Sequence, residues 1–266
     1  LRQDVNRIRV LLAIGTKPDV KLDTGETNLY ICAKKGLSDS AKILSENYAD
    51  PNVTNSRHEN TFWAAAINEH FDTALVLRDH GANMNMLDSN NETLMHNVYR
   101  RKIMKIFDFT LEAGASPNVK NGKCQTVTFI AFLNRDDEIA EKLQDQYGGN
   151  INAQDHHQYS LVHHAFEQGD LQRIEYLSNR HIDMDLKTNK GHSVLMMAFY
   201  TEINFNTWQF LLDKGANINT TDFQKSSLLH QLFFMKNARE DAFRFFIDHK
   251  IDYNIENNYG QFPISV

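Results

Sequence analysis

Cysteine occurs only twice, at Cys32 and Cys124, in a chain of 266 residues. That excludes a disulfide-dense secreted scaffold and makes a reducing, cytoplasmic compartment the expectation. Proline numbers 4 and glycine 12, too few for long linkers, collagen-like sequence or extended disorder. No stretch approaches the ~18 consecutive apolar residues of a membrane-spanning helix, so no direct membrane insertion is expected. A large charge excess is missing as well. Lys and Arg total 28 against 34 Asp and Glu, a net charge of −6, without the basic footprint that nucleic-acid binding requires. What the chain does have is 41% apolar residues, enough for a sizeable core.

It also has a beat. Gly81-Ala82-Asn83-Met84-Asn85 returns as Gly114-Ala115-Ser116-Pro117-Asn118, Gly148-Gly149-Asn150-Ile151-Asn152 and Gly215-Ala216-Asn217-Ile218-Asn219. Weaker copies begin at Tyr48, His181 and Lys250, and a degenerate one ends at Asp19. The closing Asn or Asp falls at 19, 52, 85, 118, 152, 185, 219 and 254, at intervals of 33 to 35. A Thr or Ser before an apolar run keeps the same time at Thr27, Thr61, Thr93, Thr126, Ser160, Ser193 and Ser227. Two markers in phase over seven periods define an internal repeat.

Each unit reads as helix, turn, helix and extended loop. The hydroxyl suits an N-cap, because its oxygen accepts from an orphan N–H of the first turn. A short apolar stretch follows, such as Phe62 to Ile67, then a polar break, then a second amphipathic stretch running to Gly81. Glycine there suits a helix C-terminus that turns through φ > 0. Neither helix is long enough to stand alone, which is the condition for a stacked solenoid.

The stretches Asp88 to His96 (D-S-N-N-E-T-L-M-H), Asp155 to Ala165 (D-H-H-Q-Y-S-L-V-H-H-A), Asp222 to His230 (D-F-Q-K-S-S-L-L-H) and Thr27 to Gly36 (T-N-L-Y-I-C-A-K-K-G) resemble the ankyrin repeat. The resemblance covers about seven full repeats with a partial one at each end. It implies an all-α solenoid in which every repeat adds a helix-turn-helix and a hairpin-like finger, with residues 1–266 forming one array. Residues 1–12 read as a second helix and Val266 falls inside a first one, so the chain is expected to be a piece of a longer protein. The family's proline after Thr is replaced by Asn28, Phe62, Leu94, Val127, Leu161, Val194 and Leu228, and only Pro263 keeps it. Proline at the first helical position is preorganised, so its loss predicts less rigid helix starts. Around Asn134-Arg135-Asp136-Asp137, where the family turns through glycine, local distortion is expected.

Catalytic signatures are missing: the phosphate-loop, dinucleotide, zinc-protease and nucleophile-elbow patterns do not occur. Cys32 occupies a small core slot and reads as a buried structural thiol, whereas Cys124 reads as an exposed loop residue. His156, His157, His163 and His164 crowd nine residues, but a metal site needs three or four converging ligands. In the resemblance His163, like His96 and His230, is the structural histidine that bonds between repeats. No metal, cofactor, nucleotide or catalytic residue is therefore expected. Carboxylate pairs such as Asp136-Asp137 read as solvated turn residues.

The resemblance implies a non-enzymatic module that binds another protein in a concave groove of finger tips and first helices. At about 8–10 Å per repeat, that groove would run for roughly 80 Å. The repeat register places Lys34, Lys35, Arg57, His58, Arg100 and Arg101 in its early part, His156, His157 and Tyr159 in the middle, and Tyr200, Phe223, Phe234, Met235 and Tyr259 late. Charge changes along the chain too, from +1 over residues 1–133 to −7 over residues 134–266. Exposed aromatics and arginines are favoured binding anchors. The alternative is a targeting or substrate-recruitment domain of a larger enzyme, channel or bacterial effector whose active part lies outside this chain. Such a domain could be recruited to a membrane or complex through its partner.

Overall fold

The computed structural model describes residues 5–21, 25–201, 204–235 and 240–265. In chain order these form fifteen helices: α1 (Val5–Ala13), α2 (Asn28–Lys35), α3 (Ser38–Glu46), α4 (Thr61–Ile67), α5 (Phe71–Asp79), α6 (Leu94–Arg100), α7 (Met104–Glu112) and α8 (Val127–Leu133), then α9 (Asp137–Tyr147), α10 (Leu161–Glu167), α11 (Leu171–Asn179), α12 (Val194–Thr201), α13 (Phe205–Asp213), α14 (Leu228–Phe234) and α15 (Glu240–Asp248). A short 3-10 helix, Pro263–Ser265, follows. The fold is an all-α repeat solenoid in which α2/α3 through α14/α15 make seven successions of first and second helix. Before each first helix lies an extended finger, as at 53–59 and 86–92. Fingers close by backbone pairing, with single antiparallel bridges Lys21–Thr27 and Thr221–Ser227 and bonds such as Asn55 N–H to the Glu59 carbonyl, 3.1 Å.

Two compact units divide the chain: residues 1–131 with 137–149, and residues 132–136 with 150–266. In the first, α2 packs on α4 and α3 on α5, burying Leu29, Leu44, Phe62, Trp63, Leu77 and Phe107. In the second, α10 packs on α11 and on α12, and α12 packs on α13, around Val162, Leu177, Phe199, Trp208, Leu211 and Phe246.

The 33-residue beat has a hydrogen-bond cause. In the first unit the carboxamide or carboxylate oxygen at Asp19, Asn52 and Asn85 accepts the backbone N–H of Asp50 (3.0 Å), Asn83 (2.7 Å) and Ser116 (2.9 Å). In the second unit Asn152, Asp185 and Asn219 accept from Asp183 (2.8 Å), Asn217 (2.9 Å) and Asp252 (2.7 Å). Within each unit one repeat thus holds the next by one short polar side chain. Asn52 also donates to the Gly81 carbonyl at 3.0 Å. Replacing Asn52 by Ala is expected to cost about 0.5–1.5 kcal/mol, the net worth of a hydrogen bond whose freed partners water can still reach. Urea unfolding of the variant measures this, and an unchanged midpoint would deny the ladder its role.

The caps follow the expectation with one correction. Thr27 and Thr93 accept from the third backbone N–H on, those of Tyr30 (3.2 Å) and His96 (3.3 Å). Thr61 does not cap: it is the first residue of α4, and Asn60 takes the cap by accepting from Trp63 N–H at 3.1 Å. Thr61 Oγ1 instead donates to the Pro51 carbonyl at 2.5 Å. With Asn60 in place the caps fall at 27, 60, 93, 126, 160, 193 and 227, a steadier rhythm than Thr61 allows.

Three slots in each repeat demand a left-handed backbone, and this chain often fills them without glycine. After the second helix they hold Tyr48, His181 and Lys250. At the finger tips they hold His58, Asn91, Cys124, Gln158 and Lys225, and between helices Glu69, Lys102 and Arg135. Arg135, at φ 60°, turns the chain as glycine would, so the distortion expected at 134–137 does not occur there. The difference in that repeat is α9, which runs eleven residues to Tyr147 where the other second helices run nine.

Candidate interaction face

Finger tips are built by one polar residue folding the chain over itself. Asn55 Oδ1 accepts from Arg57 N–H (2.8 Å) and Glu59 N–H (3.0 Å). Asp155 does the same for His157 (2.9 Å) and Tyr159 (3.0 Å), and Asn257 for Tyr259 (2.9 Å) and Gln261 (3.1 Å). First helices then lock the fingers from beneath. His164 Nε2 meets the second Asp155 oxygen at 3.0 Å, and Gln231 donates to Asp222 at 3.0 Å.

In the first unit Lys34, Arg57 and Arg100 lie along one chain of contacts. Lys34 at the end of α2 reaches Glu26 at 3.3 Å. Tyr30, from the same helix, accepts from Asn55 at 2.8 Å, and the Arg57 carbonyl accepts from Ser89 N–H at 2.8 Å. Arg100 at the end of α6 pairs with Glu92 of that next finger. Burial first, then the charges of Glu59 and Glu26, pushes the Tyr30 phenol up to about 12, so it stays neutral and bonded. Lys34, Lys35, Arg57, His58, Arg100 and Arg101 are all exposed.

In the second unit the same positions carry rings. His156 and His157 stand exposed at a finger tip with centroids 3.8 Å apart. Tyr159 is only half-exposed, since it lies 5.5 Å from both His163 and His164. Burial and a hydrogen bond to Glu167 raise its pKa. The His157 carbonyl accepts from Asn189 N–H at 3.0 Å, joining the next finger, where His192 packs on Tyr200 at 4.7 Å. Burial first, then the Asp222 charge, raises the Tyr200 phenol, while burial lowers His192. Phe223 lies against Gly191, and its carbonyl accepts from Asn258 Nδ2 at 3.1 Å. Tyr200 is 40% exposed, Phe223 53%, Phe234 61% and Tyr259 72%. Phe234 and Met235 close α14, and Met235 is half-buried; among the described residues no ring contact joins Phe234 to Tyr200, Phe223 or Tyr259.

Residue spacing hid one regularity. The last finger residue meets the end of the first helix eight positions on, as Glu26–Lys34, Glu92–Arg100, Tyr159–Glu167 and His192–Tyr200. The partners Glu26, Glu92, Glu167 and His192 were missed as members of the face. Recurrence at i and i+8 in phase with the beat was the signal for them.

Similarity to known proteins agrees with this geometry. Residues 127–222 match the family model described as ankyrin repeats (3 copies). Over 236 residues the chain is 22% identical to ankyrin repeat protein L371 of Acanthamoeba polyphaga mimivirus, covering 78% of this chain and 31% of that protein. Over 218 residues it is 23% identical to SH3 and multiple ankyrin repeat domains protein 2 of Homo sapiens, covering 79% of this chain and 12% of that protein. The chain is an ankyrin-repeat protein. It spans less than a third of the length of either relative.

Within the ankyrin frame the helix-start histidines are structural. His96, His163 and His230 are 3%, 0% and 0% exposed. Their Nε2–H groups donate to the carbonyls of Gln125 (3.1 Å), His192 (3.2 Å) and Gln261 (3.0 Å) one finger further on. Cys32 is buried, and burial pushes its thiol up to about 11, far from a nucleophile's range. Cys124 sits half-buried in its tip, less exposed than expected. Among the described residues no helix is long and apolar enough to cross a membrane.

Gly191 is the one tip where glycine is needed twice over. Its φ is +82°, and a Cβ there would come within 2.8 Å of the Phe223 backbone nitrogen and 2.9 Å of its ring. Gly191→Ala is therefore expected to cost about 1–3 kcal/mol and to displace Phe223. Thermal unfolding checks the first effect and the Phe223 ring NMR shifts check the second.

Proposed function

We propose that this ankyrin array binds a partner protein through its finger tips and first-helix ends, and performs no chemistry itself. Ankyrin repeats are generally protein-interaction modules, and the observation that supports this use of the face is its exposed aromatic set. Tyr200, Phe223, Phe234 and Tyr259 leave 40–72% of their surfaces in water, which the fold does not require and which a partner would cover. The partner is another protein, met in the cytoplasm, with no cofactor, metal or nucleic acid involved. All of the array's repeats serve as one binding domain in this reading.

The test is retention of cellular proteins on the immobilised chain, compared with Phe223→Ala/Phe234→Ala, Arg100→Glu/Arg101→Glu and a second-helix variant, Glu138→Lys/Glu141→Lys. Each buried Phe contributes about 1.5–3 kcal/mol and each exposed charge about 0–1 kcal/mol. The aromatic pair should therefore raise the off-rate most and the arginine pair should lower the on-rate. Binding that survives both but is lost with the second-helix variant would move the site to the opposite side.

A second reading is favoured by the relatives' lengths. The matched region is 31% and 12% of those proteins, so the array suits a recruitment domain that brings a partner to activity carried elsewhere.

A further inference from the structure

Charge in the first unit is sorted by element. Its second helices α3, α5, α7 and α9 hold ten carboxylates and four cations. Its fingers, first helices and the turns after them hold the opposite excess, with Lys34, Lys35, Arg57, Arg100, Arg101 and Lys123 among them. Hydrogen bonds order most of this cationic set. Glu26 ties Lys34 to the first finger. Asn55 ties α2 to the Arg57 finger, Ser89 ties that finger to the next, and Glu92 holds Arg100 there. The Asn91 carbonyl accepts from Gly122 N–H at 2.9 Å, carrying the row to the finger of Lys123.

We infer that this row binds an extended acidic segment of a partner polypeptide. Charge complementarity selects the sign, and the interleaved carboxylates select the class. Glu26, Glu59 and Glu92 recur every 33 residues between the cations. A nucleic acid, with a phosphate at each nucleotide, would meet a repelling carboxylate at every repeat. A peptide can place Asp or Glu opposite each cationic pair and a neutral or hydrogen-bonding residue opposite each Glu. The finger carboxylates also hold Lys34 and Arg100 in place before a ligand arrives, which reduces the ordering that binding must impose. The inference deepens the proposed function by naming what one part of the face recognises.

Fluorescence anisotropy with the whole chain tests it. The probes are a labelled peptide of alternating Glu and Ser, its Gln counterpart, and an oligothymidylate. The Glu peptide should bind at low salt and weaken about tenfold when salt is raised from about 50 to 300 mM. The Gln peptide and the oligothymidylate should bind at least about tenfold more weakly. Arg57→Gln/Arg101→Gln should weaken the Glu peptide about tenfold. Ile247→Ala, an exposed uncharged change on the second helix α15, should leave it unchanged, and circular dichroism confirms that each variant is folded. Equal binding of the Gln peptide, tighter binding of the oligothymidylate, or no effect of the Arg pair overturns the inference. If the Glu peptide fails while a captured partner is lost with the Phe pair, only this inference falls. If the Glu peptide binds while the Phe pair changes nothing in capture, it is the aromatic reading that falls.

Discussion

Lowering the pH from 7 to 4 is expected to remove about 3 kcal/mol of folding stability for each of His96 and His163. Both are held neutral, with pKa values lowered to about 4, and burial is the leading cause in each. The geometry explains why a proton is refused. The His163 Nε2–H is committed to the His192 carbonyl, and its Nδ1 accepts the Ser160 backbone N–H at 3.2 Å. His96 repeats this with the Gln125 carbonyl and the Thr93 N–H at 3.4 Å. A second ring proton would break the bond that Nδ1 accepts from the backbone and leave a buried charge with only the Ser160 or Thr93 hydroxyl, 2.7 and 2.8 Å away, to receive it. The sign is that of a lowered folded pKa. The unfolded chain takes up the proton first, near 6.5, so the contribution is full above that value. It drains as pH falls toward about 4, below which the slope ends. Urea midpoints at stepped pH values measure the effect. His163→Gln should be less stable at pH 7, by about 1–3 kcal/mol, because a buried carbonyl or N–H loses its partner. It should also show a shallower acid slope. An identical slope in wild type and variant would remove His163 from the account.

These histidines also show what was legible before the structure. Their slot followed from the repeat register, and so did the closing Asn and Asp. Each of those residues makes a bond that only a short polar side chain at that position can make, so composition betrays geometry. Asn60 was hidden because an amide caps as well as a hydroxyl, and Thr61 beside it satisfied the pattern. The left-handed slots were hidden wherever Tyr48, His58, Cys124 or Arg135 replaced glycine, since nothing in those side chains announces φ > 0. On the candidate face, exposure of Phe223, Phe234 and Tyr259 was readable from register. The pairing of Arg100 with Glu92 and of Tyr200 with His192 was not. It depends on a finger folding back over its own helix, a tertiary event that periodicity does not encode.

Trp208→Ala is expected to cost about 3–5 kcal/mol, the range for emptying an aromatic site in a packed core and a large share of a typical domain's 5–15 kcal/mol total. Trp208, on α13, is fully buried. Its ring lies 5.6 Å from Phe199 of α12 and 5.1 Å from Phe246 of α15, stacked on the latter at 13°. Phe205 and Phe245 meet it edge-on at 5.4 and 5.6 Å. Four aromatic neighbours from three helices therefore converge on one side chain, and no single neighbour can collapse into the space it would leave. The indole carries a cost of its own, because Nε1–H is buried without a hydrogen-bond partner among the described residues. Trp208→Phe removes that orphan donor, whose burial costs about 1–3 kcal/mol, while keeping most of the ring contact. The Phe variant should then lose less than about 2 kcal/mol. Hydrogen exchange gives the location as well as the size: with Ala, amides of α12, α13 and α15 should lose protection together, and with Phe they should keep it. Equal losses for the two variants would mean that Nε1–H is in fact paired and that the indole, not the aromatic volume, is what the cluster needs.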